Sequence, residues 1–253
     1  MKLHSKHISL RNTMSPDKPN EDFCIFDDEF GIYILLDGVS RDKIDGKYPV
    51  PSPALRASEI FADSVYKYLR EKVGERNSDL KGLIKDAMAF GNEQIALFNA
   101  GGTYSFLPGT VGIVMLINDG TAHYGFIGDC FGSVVSPAQA AVFTRCQTAY
   151  IQAHKGEYTA NEIRNFICNN ISHPAGYGVL TGSEKALDFI ELGQVEFGQD
   201  EKIFLYTDGF EKTVDSLSPK ELYELSMDKA KDLSEPGVDE RIDDRSMIII
   251  ERA

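Results

Sequence analysis

Four apolar runs in this chain end or begin at an aspartate. Three end on an acid with a glycine beside it: Asp37-Gly38 closes GIYILLDG, Gly128-Asp129 closes HYGFIGD, and Asp208-Gly209 closes KIFLYTDG. The fourth run, DDRSMIII, begins with Asp243 and Asp244. Where neighbouring strands are antiparallel, an acid that ends one strand and an acid that begins the next lie at the same sheet edge. Converging carboxylates repel each other unless a cation neutralises them, so the pattern predicts a site for hard divalent metal ions.

A single Asp-Gly pair is more often a turn than a metal site, because both residues favour turn conformations. Here Asp37-Gly38 and Asp208-Gly209 each close a mostly apolar run, a placement that a turn in solvent does not require. Glycine also permits close approach of the backbone, so the carbonyl oxygen of Gly38 is a candidate metal ligand. Glu21 and Asp22 add two adjacent acids at the start of the run DFCIF.

The elements that must position these acids are short β-strands. HISL, DFCIF and GIYILLD form a first group, TVGIVMLI, AHYGFIGD and GSVVS a second, and LDFIEL, KIFLYTD and SMIIIER a third. Short connections within the groups, such as the turn Asn118-Asp119-Gly120, favour antiparallel hairpins. Runs such as YILL and IVMLI are apolar on both faces, which indicates strands that are covered on both sides.

Helices are predicted where apolar residues recur at helical spacing, over 53–73, 79–99 and 219–233. Ser52 or Ser58 is a candidate N-cap for the first helix. Residues 147–172 are polar with helical character, and a loop with glycine and proline follows over 173–183. The predicted fold class is α+β, with two packed, mainly antiparallel sheets and helices outside them.

The composition of this 253-residue chain is that of an ordinary globular protein, with 42% hydrophobic and 26% charged residues. Its formal net charge of -13 disfavours nonspecific binding to nucleic acid or to anionic membranes. The start of the chain lacks the apolar segment of a signal peptide, and no apolar run is long enough to span a bilayer. The four cysteines show no CxxC pair or zinc-type spacing, so we expect a cytoplasmic protein with reduced cysteines. We also expect a monomer.

Several other catalytic chemistries lack their sequence motifs. No cysteine is followed by arginine six positions later, so the Cys-x5-Arg phosphatase motif is absent. There is no GxSxG nucleophile elbow, no GxxxxGK[ST] phosphate loop and no HxxxH or HxH pair.

Six short motifs, taken in order, resemble the metal-dependent serine/threonine protein phosphatases of type 2C, the PPM family. They are NED at 20–22, DG at 37–38, GT at 109–110, GD at 128–129, TDG at 207–209 and DDRS at 243–246. The resemblance covers about residues 5 to 250 and is closest to bacterial members. It implies a four-layer α/β/β/α sandwich, and a single phosphatase domain over 1–253 with a flap-like insertion at about 147–182. It also implies a centre of two Mn²⁺ or Mg²⁺ ions, with a third ion in some members.

The resemblance assigns roles to individual residues. Asp37 is similar to the acid that bridges both ions, and Gly38 to the residue that supplies a backbone carbonyl. Asp208 and Asp243 resemble ligands of the first ion. The catalytic set is thus Asp37, Asp208 and Asp243.

The remaining acids match more peripheral positions of the family. Glu21 and Asp22 correspond to the acidic pair that serves the second ion, directly or through water. Asp129 is similar to the acid that helps to hold a third ion. Asp244 stands where many members have asparagine, so it is ranked as a supporting residue.

The resemblance implies direct hydrolysis of phosphoserine or phosphothreonine in proteins by a metal-activated water. One departure from the family keeps a pseudophosphatase open as an alternative, and a hydrolase of small phosphate esters stays open because its metal centre would be the same. Many members have an arginine before the NED motif that grips the substrate phosphate, whereas the nearest cation here is Lys18. Lys18 is either a point charge for phosphate or a solvated loop lysine. The alternatives to a protein phosphatase are a pseudophosphatase acting as a regulatory binding module, and a hydrolase of small phosphate esters.

Overall fold

The apolar runs form β-strands in the computed structural model, which describes residues 1–12, 17–39, 43, 46–73, 79–233 and 243–252. Within these residues there are ten strands. They are β1 (Leu3–Leu10), β2 (Phe23–Asp27), β3 (Ile32–Val39), β4 (Gly109–Asn118), β5 (Thr121–Ile127), β6 (Phe131–Val135), β7 (Ala140–Val142), β8 (Glu191–Glu196), β9 (Lys202–Tyr206) and β10 (Arg245–Arg252).

The strands of the described residues make two five-stranded sheets. The first sheet has the order β1-β10-β9-β6-β7, and the second has the order β2-β3-β4-β5-β8. All neighbouring strands are antiparallel. The predicted hairpin between β4 and β5 is present, because Asn118 pairs with Thr121 and both turn residues, Asp119 and Gly120, have positive φ.

Two long helices cover the second sheet. They are α1 (Pro53–Val73) and α2 (Leu80–Ala100), close to the predicted spans. Ser52 caps α1, since its hydroxyl accepts a hydrogen bond from the N–H of Ala54 at 3.1 Å. Asp79 caps α2 by accepting from the N–H of Gly82 at 2.9 Å.

Shorter helices lie on the other side and in the insertion. Residues 211–233 contain α5 (Glu211–Asp215), α6 (Pro219–Tyr223) and α7 (Met227–Leu233). The insertion contains α3 (Ala149–Ala153), α4 (Ala160–Glu162) and a π-helical turn at Ile163–Ile167. No helix in the described ranges is both long enough and apolar enough to cross a membrane.

Alternate residues of the central strands enter different hydrophobic cores. In β3, Ile34 and Leu36 pack with α1 and α2, whereas Tyr33 and Leu35 pack between the two sheets. In β9 and β10 the other faces form a third core with α5, α6 and α7. Burial on both faces explains why these strands are apolar without alternation. The predicted α+β, four-layer α/β/β/α sandwich is therefore confirmed.

Two predicted elements were wrong. LDFIEL does not form one strand, because residues Glu184–Phe189 make a 3-10 helix and β8 begins at Glu191. The helical turn lets the buried Phe189 side chain reach the core with α1 and α2. The predicted helix over 219–233 is divided into α6 and α7, because Leu225 is buried in the third core and Ser226 caps a new helix through the N–H of Lys229. Strand β7 and helix α5 were not predicted.

Candidate metal centre

The first sheet brings two of the predicted acidic segments to one edge. Strands β9 and β10 are antiparallel, with Tyr206 opposite Met247. Asp208 follows the end of β9, and Asp243 precedes the start of β10. The register therefore places both acids at the same end of the sheet, as the strand pattern predicted.

The second sheet presents its own acids at the end of β3. Glu21 and Asp22 come immediately before β2, and Asp37 lies near the end of β3. The N–H of Gly38 donates to the carbonyl oxygen of Glu21 at 3.1 Å. The hydroxyl of Thr110 in β4 donates to the carbonyl oxygen of Asp37 at 2.9 Å. These bonds fix the two acidic segments side by side.

Hydrogen bonds across the sandwich connect the acidic segments at the strand ends of the two sheets. The Thr207 hydroxyl donates to Asp22 Oδ2 at 3.1 Å and accepts from the Ser246 N–H at 2.9 Å. The N–H of Glu21 donates to Asp244 Oδ2 at 3.1 Å. The acids of both sheets therefore line one pocket rather than two separate surfaces.

The electrostatics of Asp37 show the same convergence. Burial raises the pKa of Asp37 well above its ordinary value, and neighbouring carboxylates raise it further; in order of effect these are Asp22, Asp208, Asp129 and Asp243. Burial is also the main cause of the raised pKa of Asp22, followed by the charge of Asp244. Like charges have these effects only when they lie close together in a poorly solvated region.

Asp129 lies at the periphery of this pocket, in the short connection that carries the chain from β5 in one sheet to β6 in the other. Its carboxylate accepts a hydrogen bond from the Thr148 hydroxyl at 2.9 Å. Burial raises the pKa of Asp129, while the bond from Thr148 lowers it and the charge of Asp243 raises it. Because Thr148 directly precedes α3, the start of the insertion supports this acid.

Lys18 lies against the acids. Its Nζ is 3.0 Å from Asp243 Oδ1, 3.2 Å from Asp244 Oδ2 and 3.6 Å from Glu21 Oε2, and only 14% of its side chain is exposed. Burial lowers the pKa of Lys18, but the surrounding carboxylates outweigh that effect and the pKa lies above its ordinary value. The interpretation of Lys18 as a solvated loop lysine is therefore wrong.

The carboxylate oxygens of these acids are suitable ligands for hard divalent cations, although they are not in coordination geometry. In the part of the chain that the structure describes, no group of three His, Cys, Asp or Glu side chains has metal-binding geometry as it stands. Lys18 and the hydroxyls of Ser52 and Thr207 engage several of the carboxylate oxygens instead. Yet Asp22 Oδ1 is buried with no hydrogen-bond partner among the described residues. A buried, unpartnered carboxylate oxygen among converging acids fits an Mg²⁺ or Mn²⁺ ligand.

The glycines of the two Asp-Gly pairs are needed for backbone packing. A Cβ on Gly38 would lie 2.8 Å from the carbonyl oxygen of Glu21, and one on Gly209 would lie 2.2 Å from that of Asp244. Close contact between acidic segments thus explains both glycines. The role of the Gly38 carbonyl as a metal ligand stays a prediction.

Replacing Gly209 with alanine should destabilise the protein by about 1 to 3 kcal/mol, because the added methyl must push the backbone of Asp244 away. Urea unfolding of Gly209→Ala against wild type measures the change. Gly101→Ala is the control, since its Cβ would make only an ordinary contact of 3.5 Å. Equal stability of the two variants would contradict the proposed close packing at Gly209.

Sequence reasoning gave no role to two threonines that organise the pocket, and only a supporting one to Asp244. The Thr207 hydroxyl connects two acidic segments by donating to Asp22, and the Thr110 hydroxyl connects the backbone of Asp37 to Ser58 of α1. Asp244, ranked as supporting, accepts hydrogen bonds from the backbone N–H groups of Asn12 and Glu21. The motifs GT and TDG contain both threonines, but only the register of the strands shows what they bind.

Comparisons with known proteins identify the architecture. No protein-family model and no curated protein sequence matches the chain. Its structure is similar to the serine/threonine phosphatase PstP of Mycobacterium tuberculosis, at 20% sequence identity and a TM-score of 0.68, with 99% of each chain covered. A structure of the catalytic domain of PstP in complex with two manganese ions has 18% identity and a TM-score of 0.65, covering 99% of this chain and 98% of that one.

A third solved structure extends the likeness. The PPM Ser-Thr phosphatase MsPP from Mycobacterium smegmatis, in complex with cacodylate, has 15% identity and a TM-score of 0.61, covering 100% of this chain and 99% of that one. At these identities the similarity concerns the fold, and it extends over nearly the full length of both chains. The chain therefore has the fold of the bacterial PPM-type serine/threonine phosphatases.

Proposed function

We propose that this protein is a metal-dependent phosphatase of the PPM family that hydrolyses phosphoserine and phosphothreonine in proteins. The observation that carries the proposal is the convergence of Asp37, Asp208 and Asp22, which come from two different sheets, at one end of the sandwich. Asp22 is buried there, and Asp37 and Asp208 are half-buried. Such a concentration of negative charge costs stability unless a cation compensates it. The structural likeness to PstP, which was solved with two manganese ions, supports the same conclusion.

The proposed ligand set follows the positions of the acids. Asp37 and the Gly38 carbonyl would be ligands of the two Mn²⁺ or Mg²⁺ ions. Asp208 and Asp243 would complete the first position, and Glu21 and Asp22 the second, directly or through water; Asp129 would serve a third, peripheral ion. When bound, such ions supply a water molecule of lowered pKa and offset charge on the phosphoryl oxygens.

The residues around the ligands would hold their orientation. Thr207 fixes Oδ2 of Asp22, while the buried Oδ1 has no hydrogen-bond partner among the described residues. Thr110 fixes the backbone of Asp37, and its own hydroxyl accepts from Ser58 of α1 at 3.0 Å. Hydrogen bonds of this kind hold the ligands in place before an ion binds, which reduces the conformational entropy lost on binding.

We further propose that the chain is a single phosphatase domain in which the insertion at 147–182 acts as a flap beside the pocket. The hydrogen bond from Thr148 to Asp129 supports this placement, because it joins the first residues of the insertion to the proposed ligand set.

The decisive experiment measures hydrolysis of p-nitrophenyl phosphate and of a phosphothreonine peptide with Mn²⁺ and with EDTA. We expect Mn²⁺-dependent turnover that falls at least about 100-fold in Asp208→Ala, since loss of a ligand removes the activated water. Asp200→Ala is the matched control, because Asp200 is an exposed acid shortly before the same strand. Turnover that survives EDTA or Asp208→Ala would contradict the proposal.

One observation favours a second candidate, the pseudophosphatase. Lys18, at the place where an arginine would grip phosphate, is engaged with three acids. Mn²⁺ binding without turnover of either substrate would support that candidate. Turnover of p-nitrophenyl phosphate with no hydrolysis of the peptide would instead indicate a small phosphate-ester hydrolase.

A further inference from the structure

Lys18 is placed unusually for a lysine. Its ammonium group contacts Asp243, Asp244 and Glu21 at 3.0 to 3.6 Å. The side chains of Glu21 and Asp244 are each only 2% exposed, so these pairs are sheltered from solvent. A buried lysine surrounded by carboxylates is much more strongly held than the surface ion pairs that contribute little to stability.

The contact with Asp243 concerns a residue that the proposed function needs as a ligand. Asp243 Oδ1 accepts both from the Lys18 ammonium, at 3.0 Å, and from the backbone N–H of Asp244, at 2.9 Å. Oxygen ligands approach Mn²⁺ or Mg²⁺ to roughly 2.0 to 2.2 Å, and Oδ1 cannot do so while these two donors occupy its lone pairs. The lysine and a metal ion therefore compete for Asp243 Oδ1, and the ammonium charge repels a cation at Oδ2.

We propose that Lys18 is an internal cation that competes with the metal ion for Asp243 and Glu21, so that its side chain must withdraw before the centre fills. This inference rests on the proposed function, since it requires a metal centre at these acids. It assigns Lys18 a role in setting metal affinity. The competition also explains why the described acids are not in coordination geometry, since Lys18 is paired with Asp243 and Glu21.

Isothermal titration with Mn²⁺ tests the competition directly. If Lys18 is withdrawn in about one molecule in ten or fewer, removing its charge should strengthen Mn²⁺ binding about tenfold or more. Lys18→Met keeps the length and the apolar stem of the side chain. Lys6→Met is the control, because Lys6 forms an exposed ion pair with Glu251 on β1 and β10.

The outcomes separate the inference from the function on which it rests. Tighter Mn²⁺ binding by Lys18→Met with unchanged binding by Lys6→Met supports the competition. Wild type that binds Mn²⁺ and hydrolyses substrate, with equal or weaker Mn²⁺ affinity in Lys18→Met, overturns the inference and leaves the phosphatase standing. Absence of Mn²⁺ binding in wild type and in Lys18→Met overturns both.

A measurement on the wild-type protein covers the case in which Lys18→Met does not fold. Reductive methylation followed by mass spectrometry reports how accessible each lysine is. Lys18 should react slowly in EDTA and at least several-fold faster in saturating Mn²⁺, while the reactivity of Lys6 stays constant. Equal reactivity of Lys18 in both conditions would show that the side chain does not withdraw, and would overturn the inference.

Discussion

Asp37→Asn should abolish metal-dependent phosphate hydrolysis and, at the same time, stabilise the metal-free protein. Asp37 lies among four other carboxylates, and burial and those charges raise its pKa well above the ordinary value. A carboxyl group whose pKa rises on folding destabilises the folded state at pH values above its ordinary pKa of about 4, so the penalty is present at neutral pH. Asparagine has the same shape without the charge, and therefore removes the repulsion.

The two effects have separate readouts. We expect turnover to fall at least about 100-fold, because a proposed ligand of the two ions is lost. Stability in EDTA should rise by about 1 to 2 kcal/mol, which corresponds to roughly 2 to 8 °C in Tm for a chain of this size. Mn²⁺, which should raise the Tm of wild type, should raise that of the variant less.

The control for this experiment is Asp63→Asn, which removes a charge of the same sign from an exposed position on α1. Its activity and its Tm should match those of wild type. If Asp37→Asn lowers the Tm in EDTA, then Asp37 stabilises the metal-free protein. The proposal that these acids repel each other unless a cation is bound would then be wrong. If the variant retains full Mn²⁺-dependent turnover, Asp37 is not a metal ligand.

Much of the architecture was predictable because local pattern and global fold agree. The strands that lead to Asp37 and Asp208 are apolar on both faces. In the structure each strand is covered by helices on one face and by the other sheet on the opposite face. Such agreement between levels is typical of sequences that specify one structure. An acid at the end of a doubly covered strand has no packing role there, which is why these positions indicated a site.

The prediction was weaker where tertiary contacts decide the outcome. Leu225 and Phe189 have apolar side chains that fit a helix or a strand equally well, and it is their burial in particular cores that breaks the predicted elements. Asp243 and Asp244 lie more than two hundred residues from Lys18 in sequence, and Asp244 lies equally far from Asn12. Hydrogen bonds across such distances leave no periodic signal in the chain.

Asp244→Ala should have the largest effect on stability among the changes considered. The Asp244 side chain is buried and accepts from the N–H of Asn12 at 2.9 Å and from that of Glu21 at 3.1 Å, and it forms an ion pair with Lys18 at 3.2 Å. Alanine leaves two backbone donors without this acceptor and an ammonium group with one carboxylate fewer. Removing one partner of a buried charge pair costs about 3 to 5 kcal/mol, and we expect a loss of that order in urea unfolding.

The matched variant Asp244→Asn separates hydrogen bonding from charge. Its side-chain carbonyl can still accept from one backbone N–H, so about half of the loss should be recovered. Because Asp244 fixes the backbone of Glu21, both variants should also weaken Mn²⁺ binding, by about 10- to 100-fold for alanine. Normal stability of Asp244→Ala would show that Asn12 and Glu21 find other partners. Reduced stability with unchanged Mn²⁺ affinity would show that Asp244 holds the fold together without positioning the metal ligands.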